Sequence, residues 1–164
     1  MKISKTYSSK CESPTVCAEA AGLCERMLGC IGVARIIKEN ITSENDLIAL
    51  VRSGIIKGSL KALAACLGIT MDEMSSIIHT SHRTIQRKQD DALLDPLKSE
   101  KVVELALLAQ KGIAILGTQE SFREWLHTPL LALGHSKPVT FLDTSMGIHM
   151  VKQVLGRLEQ GVYS

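Results

Sequence analysis

The stretch SLKALAACLGITMDEMSSIIHTSHRTIQRK, residues 59–88, decides the fold. Ser59 is placed to cap a helix carrying Leu60, Leu63, Ala64 and Leu67 on one face, and Gly68 stands where a left-handed residue ends it. Thr70 and Glu73 then form a capping box ahead of Met74, Ile77 and Ile78. After His79-Thr80-Ser81 a further helix begins, with Ser81 as N-cap and Thr84, Ile85, Gln86, Arg87 and Lys88 inside it. A helix, a three-residue turn and a second short helix spell a helix-turn-helix.

Downstream, Pro96 stands near the start of a long helix in which Val102, Leu105, Ala106, Ala109, Ile113 and Leu116 recur at helical spacing before Gly117. A last module follows. It has a helix over about residues 119–127 that breaks at Thr128-Pro129, a turn around Gly134, a short helix opened by Pro138, and a final helix capped by Thr144. Ile148, Val151, Leu155 and Leu158 make the buried stripe of that final helix, and Gly161 ends it. Upstream, Ser43 and Asp46 resemble a capping box before Leu47, Leu50 and Val51, with Gly54 as the stop. Pro14 opens a helix over about residues 14–29 with Cys17, Ala21, Cys24 and Leu28 on one side, while residues 31–41 have no clean period and stay unassigned.

Composition agrees with this punctuation. The chain has 164 residues, 45% hydrophobic and only 3% aromatic, and its apolar content is mostly Leu, Ile, Val, Ala and Met, which suits helix-on-helix packing. We therefore expect an all-α fold, a helical bundle divided into a helical region 1–54, a helix-turn-helix domain 55–117 and a C-terminal module 118–164. The net charge of +2 is too small for general nucleic-acid binding, so such a role must rest on a local patch. The five cysteines show no CxxC pair, and with no signal-peptide core and no membrane-length apolar run the expectation is a cytoplasmic protein with reduced thiols and no membrane partner.

The basic cluster lies on the second helix of the helix-turn-helix. Arg83 and Arg87 suit guanine and Gln86 suits adenine, while Ser81, Thr84 and Lys88 suit phosphate oxygens, with His82 alongside. The same residues would also make an ordinary solvated helix face, and the pattern alone does not separate the two. Cys66, His79 and His82 mimic part of a zinc-finger spacing, but one local cysteine cannot complete a four-ligand site, so no metal is expected. The acidic group Asp90, Asp91 and Asp95 reads as a turn. No P-loop, GxGxxG, HExxH or GxSxG is present, so no catalytic residue, cofactor or enzyme activity is expected. Phe122, Trp125 and Leu126 recur at helical spacing, with Trp125 as a core anchor. The final turn places Arg157, Glu159, Gln160, Gly161, Val162, Tyr163 and the carboxylate of Ser164 as a peg suited to a partner's pocket, or as a solvated helix end.

The segments SHRTIQRK at 81–88, LKSEKVVELA at 97–106 and FREWLHTPLLALGHSKPVTFLDTSMGIHMVKQVLGRLEQGVYS at 122–164 resemble the Xre-type antitoxins of the RES/Xre toxin–antitoxin family, the MbcA and ParS group. The resemblance spans about residues 55–164 and is most specific at the C-terminal end. It implies an antitoxin that neutralises a RES-domain, NAD-consuming toxin and autoregulates its operon as a homodimer on operator DNA, within a larger toxin–antitoxin complex. By position it makes Ser81 to Lys88 the recognition helix. It makes Phe122, Trp125, Leu126, Pro129, Leu133, Gly134, Pro138, Leu142, Thr144 and Gly147 the framework of the toxin-binding module. His135-Ser136-Lys137 departs from the shorter, glycine-rich link of many members. The competing expectation is a free-standing helix-turn-helix regulator whose C-terminal module binds a ligand or dimerises.

Overall fold

The computed structural model describes residues 44–161, and over these the fold is all-α. The expected helix over 14–29, the unassigned stretch 31–41, the capping role given to Ser43 and the last three residues of the peg lie outside the described residues. Helix α1, Glu44–Ser53, is followed by α2, Ser59–Leu67, α3, Met71–Ile77, and α4, His82–Arg87. The long α5, Pro96–Leu116, leads to α6, Gln119–His127, two 3-10 turns at Leu131–Leu133 and Pro138–Phe141, and α7, Ser145–Glu159. Extended pairing among the described residues is confined to the isolated bridges Ile56–Leu93 and Leu130–Ser136.

Helix α5 is the axis of the molecule. Asp95 accepts a hydrogen bond from the Lys98 amide at 3.0 Å, and Pro96 occupies the first turn, so the start of α5 is fixed by both devices. Val102, Leu105, Ala106, Leu108 and Ala109 are fully buried because α1, α2, α6 and α7 all pack on this one helix. Leu47, Leu50 and Val51 of α1 are half-buried against the same core. Lys101 is buried too, and the loss of water pushes its ammonium pKa down, while Glu104 and Asp143 act in the opposite direction. No single helix among the described residues is long and apolar enough to cross a membrane.

Local punctuation follows the sequence with corrections. Gly68 ends α2 in the left-handed region at φ +69°, where the Arg123 side chain lies so close that a Cβ would collide with it. Thr70 and Glu73 form both bonds of the capping box. Ser59, however, is the first residue inside α2 and not its cap. Gly58 is the cap, and the buried Ser59 hydroxyl donates back to the Ile56 carbonyl at 2.6 Å. Lys88 likewise lies outside α4, extended at its C-cap, because the buried Lys57 ammonium holds the Lys88 carbonyl at 2.6 Å. Asp90 belongs to the same clamp: it pairs with Lys57 at 2.8 Å and Lys61 at 2.9 Å, and these cations lower its pKa to about 2. The acidic group is therefore structural, with Asp90 holding two lysines and Asp95 capping α5.

Candidate DNA-binding and toxin-binding surfaces

Helix α4 is held to the domain by one buried side chain, Ile85, so its remaining side chains face outward or sideways. Ser81 caps it: the Thr84 amide donates to the Ser81 hydroxyl at 3.1 Å, and the two hydroxyls share a hydrogen bond at 2.6 Å. Only one of the two hydroxyl hydrogens is used in that bond. Arg83, Gln86, Arg87 and Lys88 are exposed, and neither arginine makes a hydrogen bond or ion pair within the described residues. Arg83 and Arg87 are one turn apart and share a face. His82 is not a plain surface residue. Its Nδ1 lies 2.6 Å from Asp72 of α3, and its Nε2 lies 3.3 Å from the Gln86 amide nitrogen.

The C-terminal module is built around Phe122. That ring lies where a side chain at Gly112 would stand, and it stacks with Trp125 at 6.3 Å between centroids. Phe122 and Leu126 are fully buried and Trp125 only half, so the core anchor is Phe122 and the tryptophan is its partly exposed cover. The departing segment His135-Ser136-Lys137 has a definite task. With Gly134 at φ +63° and His135 at φ +62°, it folds back so that the Leu130 amide bonds the Ser136 carbonyl at 3.1 Å, and Pro138 then opens the second 3-10 turn.

Thr144 caps α7 by accepting from the Gly147 amide at 3.1 Å, and Ile148, Val151 and Leu155 are buried against α5. The opposite face carries exposed Met146, Met150, Gln153 and Arg157. Glu159 is exposed and lies 3.8 Å from Lys111, Gln160 closes the helix as its C-cap, and Gly161 follows at φ +70°. Arg157, Glu159, Gln160 and Gly161 thus sit together at the open end of α7, whereas Val162, Tyr163 and Ser164 are outside the described residues.

Several residues that sequence reasoning passed over join the two surfaces. Arg123 donates to the Ala65 carbonyl, and His127 lies 3.2 Å from the Leu67 carbonyl, so α6 satisfies the open end of α2. His79, in the helix-turn-helix turn at φ +53°, bonds the Asp143 carbonyl at 2.9 Å, just before α7. Between them runs a groove of about 510 Å³ lined by His79, Leu97, Lys101, Glu104, Asp143 and Ser145. The available signals were weak: a histidine in a turn and two basic residues at i, i+4 on α6. Of the zinc-like trio, Cys66 is a buried thiol of α2, while His79 and His82 each face an oxygen acceptor. No group of three metal-ligating side chains is found among the described residues.

Comparison with known proteins adds family to geometry. An antitoxin named Xre from Yersinia enterocolitica is 29% identical over 85 residues, covering 51% of this chain and 57% of that protein. The chain therefore spans little more than half the length of that relative. A protein named Prs ADP-ribosylating antitoxin from a Sphingobium species is 26% identical over 129 residues, covering 73% of this chain and 81% of that protein. A chain in the crystal structure of the M. tuberculosis MbcT–MbcA toxin–antitoxin complex has 19% identity and a TM-score of 0.47, over 66% of this chain and 96% of that one. Residues 46–107 match the antitoxin Xre-like helix-turn-helix domain, and residues 111–161 match the antitoxin Xre/MbcA/ParS C-terminal toxin-binding domain. With those two matches meeting inside α5, the chain belongs to the Xre/MbcA/ParS family of antitoxins.

Proposed function

We propose that the protein neutralises a cognate RES-domain, NAD-consuming toxin by covering its active site with the end of α7 and the tail, and that it binds its own promoter through α4. The observation that carries this reading is the toxin-binding domain match over residues 111–161, which ends where α7 leaves its last turn in solvent. Arg157, Glu159, Gln160 and Gly161 occupy that turn, and Val162, Tyr163 and Ser164 follow them in the sequence. In this reading the chain is an inhibitor and not an enzyme. It acts in the cytoplasm as a homodimer within a larger toxin complex, with residues 1–54 supplying dimer contacts, 55–117 the DNA-binding unit and 118–164 the toxin-binding unit.

The test is co-purification of the toxin encoded beside this gene, followed by removal of residues 162–164. The shortened chain should keep its helical content and melting temperature yet release toxicity in cells. Full protection by the shortened chain, with toxin bound as tightly as before, would remove the tail from the mechanism. Failure of any neighbouring product to co-purify would favour a free-standing regulator instead.

A further inference from the structure

His82 is held between two partners that phosphate binding does not require. Its Nδ1 lies 2.6 Å from Asp72 Oδ1 on α3, and its Nε2 lies 3.3 Å from the side-chain nitrogen of Gln86, one turn along α4. An ionised carboxylate only accepts hydrogen bonds, so the ring proton is held on Nδ1. The Gln86 side-chain nitrogen faces Nε2, so in this arrangement Nε2 accepts and an N–H of Gln86 donates to it. This fixes the flip of the Gln86 amide. One N–H turns inward to His82, and the second N–H stands beside the carbonyl oxygen on the exposed side.

One donor beside one acceptor is a selective pattern. Adenine offers N7 as acceptor and N6–H as donor in the major groove, which pairs with both groups. Guanine offers two acceptors, N7 and O6, and would set O6 against the Gln86 carbonyl oxygen. We infer that Asp72 and His82 lock Gln86 as a reader of adenine, and a rejector of guanine, at one base pair of each operator half-site. This rests on the proposed DNA-binding role of α4. Gln86 is the base reader, and His82 and Asp72 are positioning residues that need touch no DNA.

The test is sequencing of the duplexes selected from a randomised pool by the full-length chain, alone and in complex with its cognate toxin. The wild type should require adenine at one position per half-site. Gln86→Ala should lose that requirement, with adenine-over-guanine discrimination falling on the order of tenfold to a hundredfold and other positions unchanged. His82→Ala and Asp72→Ala keep the reader but free its flip, so their requirement should relax to either purine, since an unlocked amide can give an N–H to N7 of both. An unaltered melting temperature, with the preference at every other position unaltered, separates this from damage to α4. An unchanged adenine requirement in Gln86→Ala, or in both His82→Ala and Asp72→Ala, overturns the inference and leaves DNA binding standing. If no variant and no wild-type sample retains any duplex, the DNA-binding role itself falls, and the inference with it.

Discussion

Two glycines in α7 separate packing from propensity. A Cβ on Gly147 would stand 2.0 Å from the Phe141 carbonyl oxygen, and that backbone cannot step aside without moving the 3-10 turn before α7. A Cβ on Gly156 would meet only the tip of Lys111, at 3.7 Å. Gly147→Ala should therefore destabilise the fold by about 1–3 kcal/mol, as overpacking does, whereas Gly156→Ala should stabilise it by about 0.5–1 kcal/mol through helix propensity. Urea denaturation of the two variants reads both signs. A second residue-scale prediction concerns Asp90, whose pKa is held at about 2 by Lys57 and Lys61. A carboxylate whose folded pKa lies below its unfolded value, 3.8, adds stability that is complete above the unfolded value and is lost as pH falls through the folded one. Asp90→Asn should thus lower the melting temperature at neutral pH. The gap to wild type should narrow below about pH 4 and close only below about pH 2, once Asp90 is protonated in the folded protein as well.

At the scale of elements, α4 carries two exposed arginines without partners among the described residues, and its docking to the domain rests on Ile85. Replacing both Arg83 and Arg87 by alanine should leave the melting temperature and toxin binding alone. Promoter affinity should weaken, and the salt slope of log K should flatten by about one to two units if both arginines neutralise phosphates. A gel-shift series across salt concentrations measures this, and unchanged affinity at matched salt would place the contacts elsewhere. The helices themselves were legible in the sequence because their ends are written in local chemistry: Thr70 with Glu73, Ser81, Pro96, Thr144, Gly68 and Gly161 each act within four residues. Legibility failed where a local bond takes a capping hydroxyl for itself, or where the partner is remote in sequence. Ser59 was misplaced as a cap because its hydroxyl is spent inside a turn, and Lys88 was misplaced inside α4 because Lys57, far earlier in the chain, holds its carbonyl. The Asp72–His82–Gln86 relay was hidden for the same reason, since it joins two helices across a turn. The exposed end of α7 could be marked from sequence as a peg, but its Glu159–Lys111 proximity and the methionines on its outer face depend on how α7 lies along α5.

At the scale of the molecule, the two family domains meet inside α5, and the core does not divide there. Helix α5 is covered on one side by α1 and α2 and elsewhere by α6 and α7, so each module uses it as half of its interior. Arg123 and His127 add polar links from α6 to the open carbonyls of α2, and His79 adds one from the helix-turn-helix to the start of α7. Cutting at 117 would remove Phe122, Leu126, Leu142, Ile148, Val151 and Leu155, all essentially fully buried, and leave their partners on α5 in water. Each such side chain is worth about 1.5–3 kcal/mol in burial, so the gross loss is comparable with the whole net stability expected of a domain this size. A chain ending at 117 should therefore give no cooperative melt and bind promoter DNA poorly, while the full chain should melt in one transition by circular dichroism and calorimetry alike. A fragment that melted cooperatively and bound DNA as the full chain does would show two independent domains. A single transition instead means that any toxin held at α7 loads the same core that carries α4. Operator affinity and toxin occupancy would then have to be measured on the full-length chain, because neither surface keeps its geometry alone.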